Sequence, residues 1–119
     1  ICLTLNDDSV AGTIAKCTPD GVIIPGTWQH LVATYDATES VDGINIYINS
    51  ELQSVGSTSS TGYTAMENMS VGVTMMGRYV ASVTNEYQGK IDEVHMYTYE
   101  LTPMQIKNIY NNRAAVSFE

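Results

Sequence analysis

The chain has 119 residues, with 13 acidic against 5 basic side chains and a formal net charge of −8. That length holds one compact domain rather than two, and the charge repels both a phosphate backbone and an anionic membrane surface, which excludes nucleic acid as a partner class. Hydrophobic residues make up 44 %, yet no apolar run approaches the ~20 residues of a membrane span.

The first residue is Ile1 rather than Met, so the expectation is a processed product or a piece of a longer protein. "ICLTLNDDSVAGTIAKC" reads as a hairpin whose polar turn surrounds Asp7, Asp8 and Ser9. If Leu5 pairs with Ile14, Leu3 faces Lys16 and Cys2 faces Cys17, within disulfide reach. A Cys2–Cys17 bond implies an oxidising compartment; the alternative is two free thiols on neighbouring strands. "NDD" carries metal-friendly residues without EF-hand spacing and reads as a turn.

Thr18–Gly21, "TPDG", is a turn. A short apolar run and a Pro-Gly break then lead into a strand expected from Thr27 to Tyr35, with Trp28, His30, Val32 and Thr34 on one face. Leu31, Ala33 and Tyr35 take the other, which suits a central strand covered on both sides. In that position Trp28 and His30 read as core residues, although an accessible indole is also able to stack on a sugar ring.

After the polar loop Ala37–Gly43, "INIYI" alternates cleanly, and Asn49-Ser50 makes a tight turn into "ELQSV", closing a second hairpin. "GSTSSTGYTA" reads as a surface loop and "MSVGVTMMGRY" as a strand with glycine interruptions. "VASVTNEY" is a loop or short strand, and Asn68-Met69-Ser70 is a formal glycosylation sequon. Near Ile91 the alternation slips by one residue beside Asp92 and Glu93, as a β-bulge in a strand would make it. The one helix is expected at the end, with Thr102 and Gln105 as a capping box, Pro103 at its first position, and Leu101 and Ile106 as a hydrophobic staple. Many strands, polar turns and one late helix give an all-β antiparallel sandwich.

Two blocks carry a family signature. "GTWQHLVATYDATESVDGINIYINSELQSVGS" and "YQGKIDEVHMYTYELTPMQIKNIY" resemble the central strands and the closing strand and helix of laminin-G-like, concanavalin A-like jelly-roll domains. The chain departs from the pattern with Ser50 where glycine is usual, His95 where arginine is common and Gln105 where glutamate is common. The resemblance implies a single jelly-roll domain over 1–119 that lacks the family's first strands, leaving an open sheet edge for a strand partner or a second copy. It also implies an extracellular or cell-surface setting, with a glycan or a surface protein as partner and no membrane insertion. Members of the family bind glycans, bind proteins or accompany secreted hydrolases, so the fold alone does not choose among them.

The resemblance points to Asp92 as ligand of a structural Ca²⁺, with Asp36 as a weaker alternative ligand. Equally, Asp92 serves a bulge by accepting from nearby backbone N–H groups, and Asp36 starts a turn. For a glycan, the loop aromatics Tyr63, Tyr79 and Tyr87 with Asn85 are the candidate contacts. Tyrosine is common in β-proteins, so each also has a purely structural reading. Catalysis finds no support: the two histidines, His30 and His95, sit far apart in sequence, and the E-x-D-x-x-E strand of jelly-roll glucanases is missing. The expectation is therefore a non-catalytic lectin-like module; the alternatives are an adhesion or assembly module and an accessory fragment of a hydrolase.

Overall fold

The structure, a computed structural model, describes residues 1–65 and 87–111. Residues 1–67 with 99–119 form one compact unit and residues 68–98 a second, and each is described by itself.

In the first unit, two three-stranded antiparallel sheets and a helix make the fold. Sheet A has the order β1-β2-β6, from Cys2–Asp7, Gly12–Cys17 and Ser57–Thr61; sheet B has the order β3-β4-β5, from Leu31–Tyr35, Ile44–Ile48 and Glu51–Leu52. The mostly-β sandwich with one short helix, expected from the strand pattern, is the architecture observed, and it is compatible with a jelly roll.

The first hairpin has the register derived from its alternation: Leu5 opposite Ile14, Leu3 opposite Lys16, Cys2 opposite Cys17. Thr18 N–H donates to Ile1 O, so the ladder bonds fall on odd-numbered residues of β1 and leave Cys2–Cys17 at a non-hydrogen-bonded pair, where opposing side chains approach most closely. There the two cysteines are joined in a disulfide.

The core lies between the sheets. Ile14 from sheet A meets Ile44 and Ile46 from sheet B, with Tyr63 enclosed among them and Leu3, Leu5, Tyr35 and Val41 around the margin. The other side of sheet B is covered by α1, Pro103–Asn111, through Tyr47, Leu101 and Ile106. Sheet B thus carries packed side chains on both faces, while β3, expected as a central strand covered on both sides, is the end strand of the sheet among the described residues, with Leu31 and Ala33 exposed. At the start of α1, Gln105 N–H donates to Thr102 Oγ1 and Thr102 N–H to Gln105 Oε1, the reciprocal capping box. Leu101 and Ile106 are both buried, completing the staple.

Asn49 and Ser50 join β4 to β5 with φ of +51° and +68°. Positive φ at both central residues is the type I′ geometry whose twist matches a two-residue hairpin. Asn49 serves the turn twice over, since its N–H donates to His30 O and its Oδ1 accepts from His30 N–H at 2.9 Å.

Three expectations change. Strand β3 starts at Leu31 and not Thr27, because Ile24–Thr27 closes a turn with Pro25 at its second position and Gly26 at φ +80°. The stretch Ser57–Thr61 is a strand, not a loop, since Ser and Thr hydroxyls are tolerated on a solvated edge once β2 supplies the ladder. In the second unit, residues 90–97 form no ladder among the described residues, and Ile91, Val94 and Met96 are exposed instead of half-buried. The backbone does turn at the acidic doublet: Glu93 takes φ +49°, and its N–H is accepted by Asp92 Oδ1 at 2.8 Å. The strand expected within 69–79 and the sequon at Asn68 lie outside the described residues.

Candidate functional site

The residues singled out from the sequence fall into different surroundings. Tyr63 is only 8 % exposed, and its ring meets Tyr35 edge-on at 6.4 Å. Burial, with the Tyr35 hydroxyl nearby, pushes its phenol up to about 12. No acceptor reaches its hydroxyl among the described residues. A ring enclosed by Ile14, Ile44 and Ile46 offers no face to a sugar, so Tyr63 is a core residue. Tyr79 and Asn85 lie outside the described residues. Tyr87 is 60 % exposed, with one edge of its ring over Gly89, where a Cβ would stand 2.6 Å from the ring. In the same unit the exposed rings of His95 and Tyr97 stack at 6.4 Å and 16°.

Asp36 is built into its own turn. Its Oδ1 accepts from Thr38 N–H at 3.0 Å and Thr38 Oγ1–H at 2.6 Å, and these bonds hold the carboxyl below the usual aspartate range. Gly43 packs so closely on that carboxylate that no side chain fits there. Asp92 bonds to the next backbone N–H. No group of three metal-ligating acidic, histidine or cysteine side chains gathers among the described residues.

Asp7, read from the sequence as part of a metal-friendly turn, proves to be the most heavily bonded acid among the described residues. It is buried at the end of β1, and its Oδ1 accepts from Ser9 N–H and Oγ–H. Its Oδ2 accepts from Thr64 N–H, Thr64 Oγ1–H and Ala65 N–H. The two hydroxyl donors, foremost Ser9, hold the carboxyl far below its usual range. The segment reaching it passes over Gly12, where a Cβ would collide with the Gly62 carbonyl. This carboxylate ties β1 to the end of β6, and its chemistry is structural.

The residue that stands out for recognition is Trp28, the chain's one tryptophan, at 68 % exposure. It was expected inside a central strand; with β3 beginning at Leu31 it instead rides on the preceding turn. That turn is well tied: Thr27 Oγ1–H donates to Ile24 O at 2.8 Å, while the Gln29 side chain accepts from Ile24 N–H at 2.8 Å and donates to Val22 O at 3.3 Å. Thr27 and Gln29 thus have their side chains committed to the turn, while the Trp28 indole between them in sequence is exposed.

The chain belongs to the laminin-G-like group of the concanavalin A-like lectin/glucanases superfamily, whose model matches residues 3–107. Among solved structures, an S-layer domain-containing protein of Clostridium thermocellum ATCC 27405, residues 221–444, is similar with a TM-score of 0.48 and 14 % identity. The likeness covers 91 % of this chain and 61 % of that one, and at that level it carries no functional argument. No curated protein matches the chain. No helix among the described residues is long and apolar enough to cross a membrane.

Proposed function

We propose that the chain is a non-catalytic binding module of an extracellular or cell-surface protein, and that it takes carbohydrate with Trp28 as the stacking platform. The observation that carries this reading is an exposed indole on a turn braced by Gln29 and Thr27. An exposed Trp offers a large apolar face and one N–H donor, the combination that suits the C–H face and hydroxyl rim of a sugar. A preorganised support lowers the cost of ordering on binding. The net charge of −8 favours a neutral glycan over a sulfated or uronic one. Tyr87, exposed in the second unit, is proposed by itself as a separate glycan contact. The Cys2–Cys17 disulfide fits an oxidising compartment.

Because Trp28 is the sole indole, its fluorescence reports the site directly. Titration with a panel of neutral oligosaccharides is expected to shift the emission to the blue and to shield the ring from acrylamide. Trp28→Ala is expected to lose binding while melting like the parent. A panel that leaves the emission unchanged, or a Trp28→Ala variant that still binds, overturns the proposal.

A further inference from the structure

The dipeptide Asp-Gly occurs twice in the chain, at Asp20-Gly21 and at Asp42-Gly43. Glycine puts no Cβ beside its own amide nitrogen, so that nitrogen can reach the preceding side-chain carboxyl wherever the backbone is free to rotate. The two copies have opposite surroundings. Asp42-Gly43 is held at all of its main-chain polar groups. Asp42 N–H donates to Ser40 Oγ at 3.2 Å, and Asp42 O accepts from Lys16 Nζ at 3.3 Å. Gly43 N–H donates to Ser40 O at 3.2 Å, and Gly43 O accepts from Asp36 N–H at 3.2 Å. Gly43 is also buried, packed against the Asp36 carboxylate.

Asp20 and Gly21 instead form an exposed turn after β2, with Gly21 at φ +80°. Among the described residues nothing stands within 4 Å of where a Gly21 Cβ would lie. An exposed turn outside the sheets opens locally at little cost, whereas a buried and fully bonded one opens only with its surroundings. Directly after the turn comes Val22, whose carbonyl accepts from Gln29 Nε2 at 3.3 Å, one of the bonds that brace the turn carrying Trp28.

We propose that Asp20-Gly21 is a site of spontaneous covalent modification, at which Asp20 isomerises to isoaspartate, and that the change loosens the brace under Trp28. The Gly21 amide nitrogen attacks Asp20 Cγ. The N–Cγ bond forms as a carboxyl C–O bond breaks, and the departing hydroxyl leaves with the amide proton as water. A five-membered imide results. Water then adds to the carbonyl that was the Asp20 main-chain carbonyl, and the ring opens with the chain running through Cβ and Cγ. The old α-carboxyl becomes the side group. One water leaves and one returns, so composition and formal charge are unchanged, and nothing is oxidised or reduced. The main chain is now one atom longer ahead of Val22, which displaces the carbonyl that Gln29 holds. A loss of glycan binding on ageing rests on the carbohydrate reading above; the isomerisation itself does not.

The test is to age the whole chain for weeks in warm neutral buffer, then to map isoaspartate by electron-transfer mass spectrometry and by a protease that cuts before aspartate but not before isoaspartate. Conversion at Asp20 is expected to run roughly tenfold or more faster than at Asp42, where main-chain bonds must break first. The fluorescence anisotropy of Trp28 is expected to fall in the converted fraction. Asp20→Glu, which keeps the charge but would need a six-membered ring, is expected to hold its anisotropy and stay unconverted. In urea the two sites are expected to convert at similar rates; a difference that persists there belongs to the sequence and overturns the structural account. Aged protein with Asp20 intact, or with Asp42 converting as fast, overturns the proposal. A converted fraction whose Trp28 anisotropy equals that of fresh protein overturns the link to the brace. A chain that converts at Asp20 yet binds no neutral oligosaccharide, fresh or aged, refutes the carbohydrate reading and leaves the modification standing.

Discussion

Replacing Ser50 with glycine should stabilise this protein, and replacing its neighbour Asn49 should do the opposite. Both residues hold left-handed backbone, at φ +68° and +51°, because the two-residue link between β4 and β5 demands it. For an ordinary L-residue that conformation costs roughly 1–2 kcal/mol, since Cβ crowds the following carbonyl. Glycine escapes the clash and loses roughly 0.5–1 kcal/mol in extra unfolded-chain freedom. The net gain for Ser50→Gly is about 0.5–1 kcal/mol, or about 2–4 °C in melting temperature for a domain of this size. Asn49→Gly relieves less strain, because asparagine tolerates this region, and it removes the Oδ1 acceptor of His30 N–H, at a cost of about 1 kcal/mol or more. Urea unfolding and thermal melting of the two variants read the difference directly. A Ser50→Gly protein that melts at or below the parent, or an Asn49→Gly protein that melts above it, refutes the type I′ assignment as the source of strain.

Removing the disulfide with Cys2→Ser and Cys17→Ser should cost about 3 kcal/mol in urea unfolding, the chain-entropy value for a closed loop with a sequence separation of 15. Asp7 has a depressed folded-state pKa, so its contribution is complete above the unfolded aspartate value and is lost as pH falls further; stability should decline below about pH 4, and Asp7→Asn should flatten that decline. Tyr63→Phe removes a buried hydroxyl that has no acceptor among the described residues and should leave the melting temperature unchanged or raise it, with glycan binding intact. A clear loss of stability in that variant would mean that the hydroxyl does find a partner.

Where local rules acted alone, the chain could be read ahead of its coordinates. The alternation of Leu3, Leu5 and Ile14 set the hairpin register, and with it the pairing of Cys2 with Cys17. Thr102, Pro103 and Gln105 announced the helix, because capping chemistry lies within one turn of sequence. Trp28 was misplaced because parity alone cannot mark where a strand begins; the Gln29 side chain that folds back on Val22 and Ile24 leaves no periodic trace. Ser57–Thr61 read as a loop because hydroxyl residues suit turns as well as solvated edges. Tyr63 read as a loop residue, and only the passage of its segment beneath sheet A carries it into the core. Asp7 read only as part of the hairpin turn, since three of its five donors lie more than fifty residues away.

The bonds from Asp7 to Thr64 and Ala65 also impose an order of events. The first hairpin assembles from neighbours in sequence and is quick to form, whereas the far donors arrive only after a loop of 57 residues has closed. Until then the carboxylate keeps its hydration shell, and that corner of the molecule stays loose. A nascent chain cut short of Thr64 therefore carries the hairpin without three of the five donors to Asp7.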